Sequence, residues 1–312
     1  MKRTFSGSRC FRSRSPAHAL VTALLIAPLL AFGAAADAPG EPTTYTLWYR
    51  NYDNPAVLSL LRIAFDQTPE YGAYRIQRSA EMVQGRALLE LKREDDRPLS
   101  IINVATSPER ERDLYEVPIP IDGGLLGFRV CVVQEEKVKL FAGVRSLKEF
   151  SDRGLTIGQG THWPDTTILE ANGIQVVTHT RFENLFDMLE RGRFDCFARG
   201  VSEVLYDMER VQHHGLVVEP NLLLAYPMPS YFFLAKDDHE TAQRLQLGME
   251  RAIANGTFGI FLAVFYGRAV TELNLGQRTM LKLENPYLSD DPDSLSRKLF
   301  ETLRTRIERN SH

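Results

Sequence analysis

Apolar and polar positions switch between two periods along most of the chain. Short β-type runs cover 45–49, 74–76, 99–104, 128–133, 155–158, 176–177 and 194–197. Between and after them, apolar residues recur at helical spacing over 57–65, 82–91, 147–150, 164–172, 182–189, 240–254, 258–266 and 295–307. Local signals agree with these periods. Asn54-Pro55 opens one helix, Pro164 opens another that ends at Asn172-Gly173, and Gly192 closes the helix before 194–197. Strand and helix alternating in this way predict an α/β fold, with parallel-type sheets covered by helices on both faces. No internal repeat or low-complexity segment interrupts the pattern. The last helix carries Leu295, Leu299, Leu303 and Ile307 on one narrow stripe. Such a stripe is expected to pack over the protein's own surface rather than against a partner.

The amino-terminal stretch follows a different logic. Lys2, Arg3, Arg9, Arg12 and Arg14 precede an apolar run over 19–32, and Gly33-Ala34-Ala35-Ala36 follow it. A basic start, a short apolar region and a small-residue site define a secretory leader, read here as residues 1–36 with cleavage just before Asp37. Pro28 interrupts the run, which is shorter than the ~20 residues a spanning helix needs. No later run is expected to approach a membrane span. Export then places the mature protein in the periplasm.

Removing the leader changes the charge. The full chain has 37 basic and 40 acidic side chains; without the five basic residues of the leader, 32 face 40, a formal charge of −8. That balance argues against a nucleic-acid backbone or an anionic membrane as partner. The roughly 275 remaining residues suffice for two lobes of ordinary size. Only Cys131 and Cys196 remain, each in an apolar run. They read as buried free thiols, with a bridge left open.

Four segments, in order, carry a resemblance. Ala105-Thr106-Ser107-Pro108-Glu109-Arg110 contains a TPER-like run, and 146–161 reads SLKEFSDRGLTIGQGT. Residues 185–197 read LFDMLERGRFDCF. Within 231–266, FFLAKDD precedes a helix, Asn255-Gly256-Thr257-Phe258 and a second helix ending at Phe265-Tyr266. Over roughly 45–270 the chain resembles the bacterial extracellular solute-binding proteins of the polar amino acid type, the receptors of ABC importers. The resemblance implies a two-lobed periplasmic binding protein-like fold with two hinge crossings. Lobe one would be 39–129 plus 220–312, and lobe two 130–219. The solute would lie between the lobes and be buried by hinge closure.

The resemblance also implies a set of ligand contacts. Arg110 would pair with a ligand carboxylate, for which a guanidinium fork is well shaped. Thr106 and Asn103 lie just upstream as further polar contacts. Thr161 and His162 would contribute from the second lobe, at the amino terminus of the helix opened by Pro164, or else cap that helix. The pocket loop after the first strand reads 49–55 and offers Tyr52. One position departs from the pattern: Gly200 stands where amino-acid receptors carry the Asp that meets the ligand ammonium, with Arg199 beside it. An anionic or amino-acid-like solute is therefore expected, captured for ABC-type uptake by a monomer. No metal ligands, cofactor motif or catalytic set is evident. A receptor serving a membrane sensor is the alternative, and an enzyme on the same fold would have to use Asp165, Glu203 or His162. The histidines at 213 and 214 read as surface residues.

Overall fold

The computed structural model describes residues 41–210, 215–288 and 295–309. The leader, its cleavage point and His213-His214 lie outside these residues.

The chain opens with β1 (Thr43–Leu47), α1 (Tyr49–Tyr52), α2 (Pro55–Asp66), β2 (Tyr74–Arg78) and α3 (Gln84–Leu91). It continues through β3 (Ile102–Ala105), α4 (Pro108–Asp113), β4 (Leu114–Val117) and β5 (Phe128–Gln134). Next come α5 (Leu147–Asp152), β6 (Thr156–Gly160), α6 (Pro164–Ala171), β7 (Gln175–His179), α7 (Glu183–Glu190), β8 (Cys196–Gly200) and α8 (Val204–Arg210). The last part contains β9 (Leu216–Val218), β10 (Leu222–Ala225), β11 (Ser230–Ala235), α9 (His239–Ala254), α10 (Thr257–Glu272), β12 (Thr279–Lys282) and α11 (Leu295–Arg309).

These elements make two groups of strands. In one, β1 and β2 pair in parallel, a bridge from Leu47 to Ile101 links them towards β3, and β11 lies between β3 and β4. In the other, the order is β12-β10-β5-β8-β6-β7, with β9 on β5. The α/β class stands, but the sheets are mixed rather than wholly parallel: β6 runs parallel to β7 and β8, and β10 to β12. β11 is antiparallel to both its neighbours, and β5 is antiparallel to β8, β9 and β10. β5 and β11 each enter from the other half of the molecule and run against their neighbours. Residue periodicity carries no sign of that.

Helix starts explain how side chains reach the space between the two groups. Asn54 caps α2 by accepting from the amides of Ala56 and Val57, with Pro55 at the first turn. α2 then buries Val57, Leu60, Leu61, Ala64 and Phe65. It packs so closely on α9 that a Cβ on Gly248 would lie 2.0 Å from the carbonyl oxygen of Ala64. Only glycine fits there. Ser107 caps α4 through the Arg110 amide, and this single turn of helix aims Arg110 inward while Arg112 stays exposed beside Asp113. Between them, the two caps fix α2 and Arg110.

Three other expectations change. Cys131 and Cys196 form a disulfide, with Cα atoms 5.0 Å apart, because β5 and β8 are adjacent strands. The free-thiol reading judged each cysteine by its own apolar run and missed that adjacency. Second, Thr257–Gln277 is long and apolar enough, by length and composition, to cross a bilayer. Within it Phe261, Tyr266 and Ala269 are buried in the protein, while Ile260 and Val264 are exposed. Third, α6 has Trp163 at its cap position with no side-chain cap, so neither Thr161 nor His162 caps it. The stripe on α11 does pack on the protein: Phe300 stacks on Phe128 at 5.1 Å, and Leu299 and Leu303 cover Gly124.

Candidate functional site

A cavity of about 160 Å³ lies between the two groups of strands. It is lined from one side by α1, β3, α4 and the turn around Asp122, and from the other by the start of α6, the loop at Phe182 and the end of β8. Charge dominates its walls. Arg50, Arg110, Arg129 and Arg199 face Asp122, Asp165, Glu183, Glu203 and Asp207.

Arg129 and Arg199 are buried and paired. Arg129 Nη2 lies 2.8 Å from Asp165 Oδ1, and Asp165 also accepts from the Tyr226 hydroxyl at 2.6 Å. Arg199 contacts Asp207 through Nε at 2.7 Å and Nη2 at 2.6 Å. Burial works against the charge on both arginines, but the carboxylates beside them outweigh it and raise their pKa values. Trp163, Phe182 and Phe197 surround the Arg199 guanidinium at 5.1, 4.9 and 5.3 Å, adding cation–π contacts.

Glu203 joins the two pairs. Its Oε2 lies 3.3 Å from Arg129 Nη1 and 3.2 Å from Arg199 Nη2. Burial pushes its carboxyl up, but Arg199, Arg129 and Arg50 more than offset that and hold it below the usual range. Asp122 goes the other way. Burial raises it despite hydrogen bonds from Ser202 and the Gly124 amide.

Arg110 differs from this cluster. It is 6% exposed and donates to the Ala105 carbonyl, to Gln84 Oε1 at 3.1 Å and to the His162 carbonyl at 2.7 Å. All three acceptors are neutral. Burial drives its pKa down to about 10, and Asp165 and Glu109 offset only part of that. The His162 bond reaches from α4 to the turn after β6, so Arg110 ties the two halves of the cleft together. Tyr206 does the same, donating at 2.5 Å from α8 to the Asp53 carbonyl.

Of the ligand contacts expected from the sequence, Arg110, Asn103 and Arg199 line the cavity, as do Asp165 and Glu203, the expected groups of an enzyme. The Asn103 side chain is already used, donating to the Tyr231 carbonyl at 2.9 Å. Thr106, Thr161, His162 and Tyr52 are not among the lining residues. Thr106 donates to Glu111 at 2.5 Å, Thr161 is exposed, and the His162 ring rests on Gly85 of α3. Tyr52 is half-buried against the core. At the amino terminus of α6, where an external anion was expected, Asp165 stands in the first turn and supplies the negative charge itself.

Sequence reasoning missed Arg50, Asp122, Trp163 and Asp207. Arg50 sits in the pocket loop that drew attention to Tyr52, so the signal was an arginine among aromatics.

No protein-family model and no curated protein matches this chain. Solved structures do. A Salmonella typhimurium periplasmic binding protein with high arginine specificity is 11% identical, with a TM-score of 0.54 over 72% of this chain and 99% of that one. An amino acid ABC transporter substrate-binding protein from Streptococcus pneumoniae, bound to L-arginine, is 14% identical, with a TM-score of 0.53 over 72% and 94%. An ancestral amino acid-binding protein, a precursor of cyclohexadienyl dehydratase, is 12% identical, with a TM-score of 0.53 over 72% and 96%. The fold is that of the two-lobed periplasmic binding proteins.

Proposed function

We propose that this chain is an exported solute-binding receptor, which captures a small carboxylate-bearing solute between two lobes and delivers it to an ABC-type importer without turning it over. The lobes would be 39–129 with 220–312, and 130–219, with the hinge where Phe128 and Arg129 pair with Ala225 and Leu224. The observation that carries the reading is Arg110, a buried guanidinium in the cleft wall with three neutral acceptors and no carboxylate. A ligand carboxylate would supply the missing charge and exchange neutral hydrogen bonds for a charge-assisted pair.

Binding without turnover is favoured by how the cleft carboxylates are used. Asp165 is held by Arg129 and Tyr226, and Glu203 by Arg129 and Arg199. An acid or base needs a free position from which to reach substrate. Further support comes from the neighbours of this fold, which include amino acid receptors, and from the leader that reads as an export signal.

The test is direct. Mass spectrometry of material copurifying with the native exported protein should show a carboxylate, and adding it back should raise the melting temperature with concentration. Recovery of that compound chemically changed after incubation would move the protein to the enzymes.

A further inference from the structure

The four arginines of the cleft fall into two kinds. Arg129 and Arg199 are matched by carboxylates at hydrogen-bonding distance. Arg110 has only neutral acceptors, and Arg50 makes no hydrogen bond among the described residues. The nearest carboxylate oxygen to Arg50 is Glu183 Oε1 at 3.7 Å, on a side chain that is 63% exposed. The Arg50 guanidinium carbon lies 3.7 Å over the centre of the Phe182 ring. Cation–π attraction at this distance holds the guanidinium against the ring without using its N–H donors, which a planar carboxylate could take up. Arg50 lines the cavity and its side chain is 26% exposed, so these donors can be reached from within.

We propose that Arg50 is a second anion subsite and that the solute is a short dicarboxylate, held by Arg110 at one end and Arg50 at the other. This deepens the solute-binding reading and rests on it. The other cleft groups argue against an ammonium on the ligand. Asp165, Asp207 and Glu203 are each committed to a guanidinium, and Asp122 is satisfied by Ser202 and the Gly124 amide. An ammonium would therefore sit among four cations, with Glu183, already 3.7 Å from Arg50, as the one loosely held carboxylate among the described lining residues. The cavity, about 160 Å³, has room for a chain of a few carbons. Glu183 is exposed enough to swing away as the second carboxylate arrives.

Titration calorimetry on the mature exported protein tests this with named probes. Succinate and glutarate are compared with butyrate and valerate, their monocarboxylate counterparts, and with glutamate. Each dicarboxylate should bind at least roughly tenfold more tightly than its counterpart, and glutarate more tightly than glutamate. In Arg50→Met the dicarboxylate preference should fall towards one. Arg50→Lys, which keeps the charge without the fork, should retain part of it and gives the same information if the Met variant does not fold. Dicarboxylates binding no better than monocarboxylates, glutamate binding best, or an undiminished preference in either variant overturns the proposal. In those cases a solute still binds, and the receptor reading stands. If no probe and no copurified compound binds, that reading falls as well.

Discussion

Glu203 fills the space that a side chain on Gly200 would need: its Oε2 lies 2.9 Å from where the Cβ of that residue would be, and Leu126 and Arg129 close the rest at 2.9 and 3.1 Å. The glycine and the carboxylate three residues later are therefore one arrangement. Gly200 leaves room for Glu203 to turn back between Arg129 and Arg199. Gly200→Asp should push Glu203 off both arginines and add a carboxylate to the cleft. Overpacking of this kind costs ~1–3 kcal/mol. Urea unfolding should show that loss, and affinity for an anionic solute should fall with it. Unchanged stability would mean that Glu203 moves aside freely.

The Cys131–Cys196 bridge closes a loop of 65 residues between β5 and β8. On chain entropy alone, such a loop adds about 4 kcal/mol, within the ~2–5 kcal/mol commonly lost when a native bridge is removed. Replacing both cysteines by alanine should lower the urea midpoint accordingly. A reductant should lower it for the natural protein but leave the double variant unaffected. A midpoint insensitive to reductant would show that the thiols are unpaired in solution.

Phe300 ties the final helix to the start of β5. It is 7% exposed and stacks on Phe128, the first residue of β5. Phe300→Ala should cost about 3 kcal/mol through lost burial and the cavity left behind. A change within a few tenths would mean that α11 does not hold to this surface in solution.

Solute binding should depend on pH through Arg110. Burial depresses its pKa to about 10 in the unliganded cleft, and a bound carboxylate would raise it again. A cation whose pKa rises on binding takes up protons once the pH exceeds the unliganded value. Affinity should therefore be steady across neutral pH and fall as pH rises through about 10. Calorimetry there, in buffers of differing ionisation enthalpy, should register proton uptake. Proton release on binding would contradict this assignment.

How much of this was legible in the sequence depends on the range of the interaction involved. α2 and α6 could be read because Asn54-Pro55 and Pro164 are local signals followed by helical spacing. Arg110 could be placed because the TPER-like run that carries the resemblance is local too. β9, β10 and β11 could not be read, since a buried strand among apolar residues shows no alternation and its direction is set by the returning chain. Thr161 and His162 look like cleft residues by their place before α6, but the turn points one to solvent and lays the other on Gly85. Asp207 and Asp122 meet Arg199 and Ser202 only through the fold, so no spacing rule could have named them.

The measurement that bears most directly on the account is titration calorimetry of the copurified solute against the natural protein, Arg110→Ala, Arg110→Lys and Arg112→Ala. Breaking a desolvated charge pair typically costs ~2–5 kcal/mol, so Arg110→Ala should bind tens- to thousands-fold more weakly. Arg110→Lys should recover only part, because an ammonium lacks the fork. Arg112, exposed beside Asp113, should matter little. Equal affinity for the natural protein and Arg110→Ala would contradict the claim that Arg110 anchors the solute.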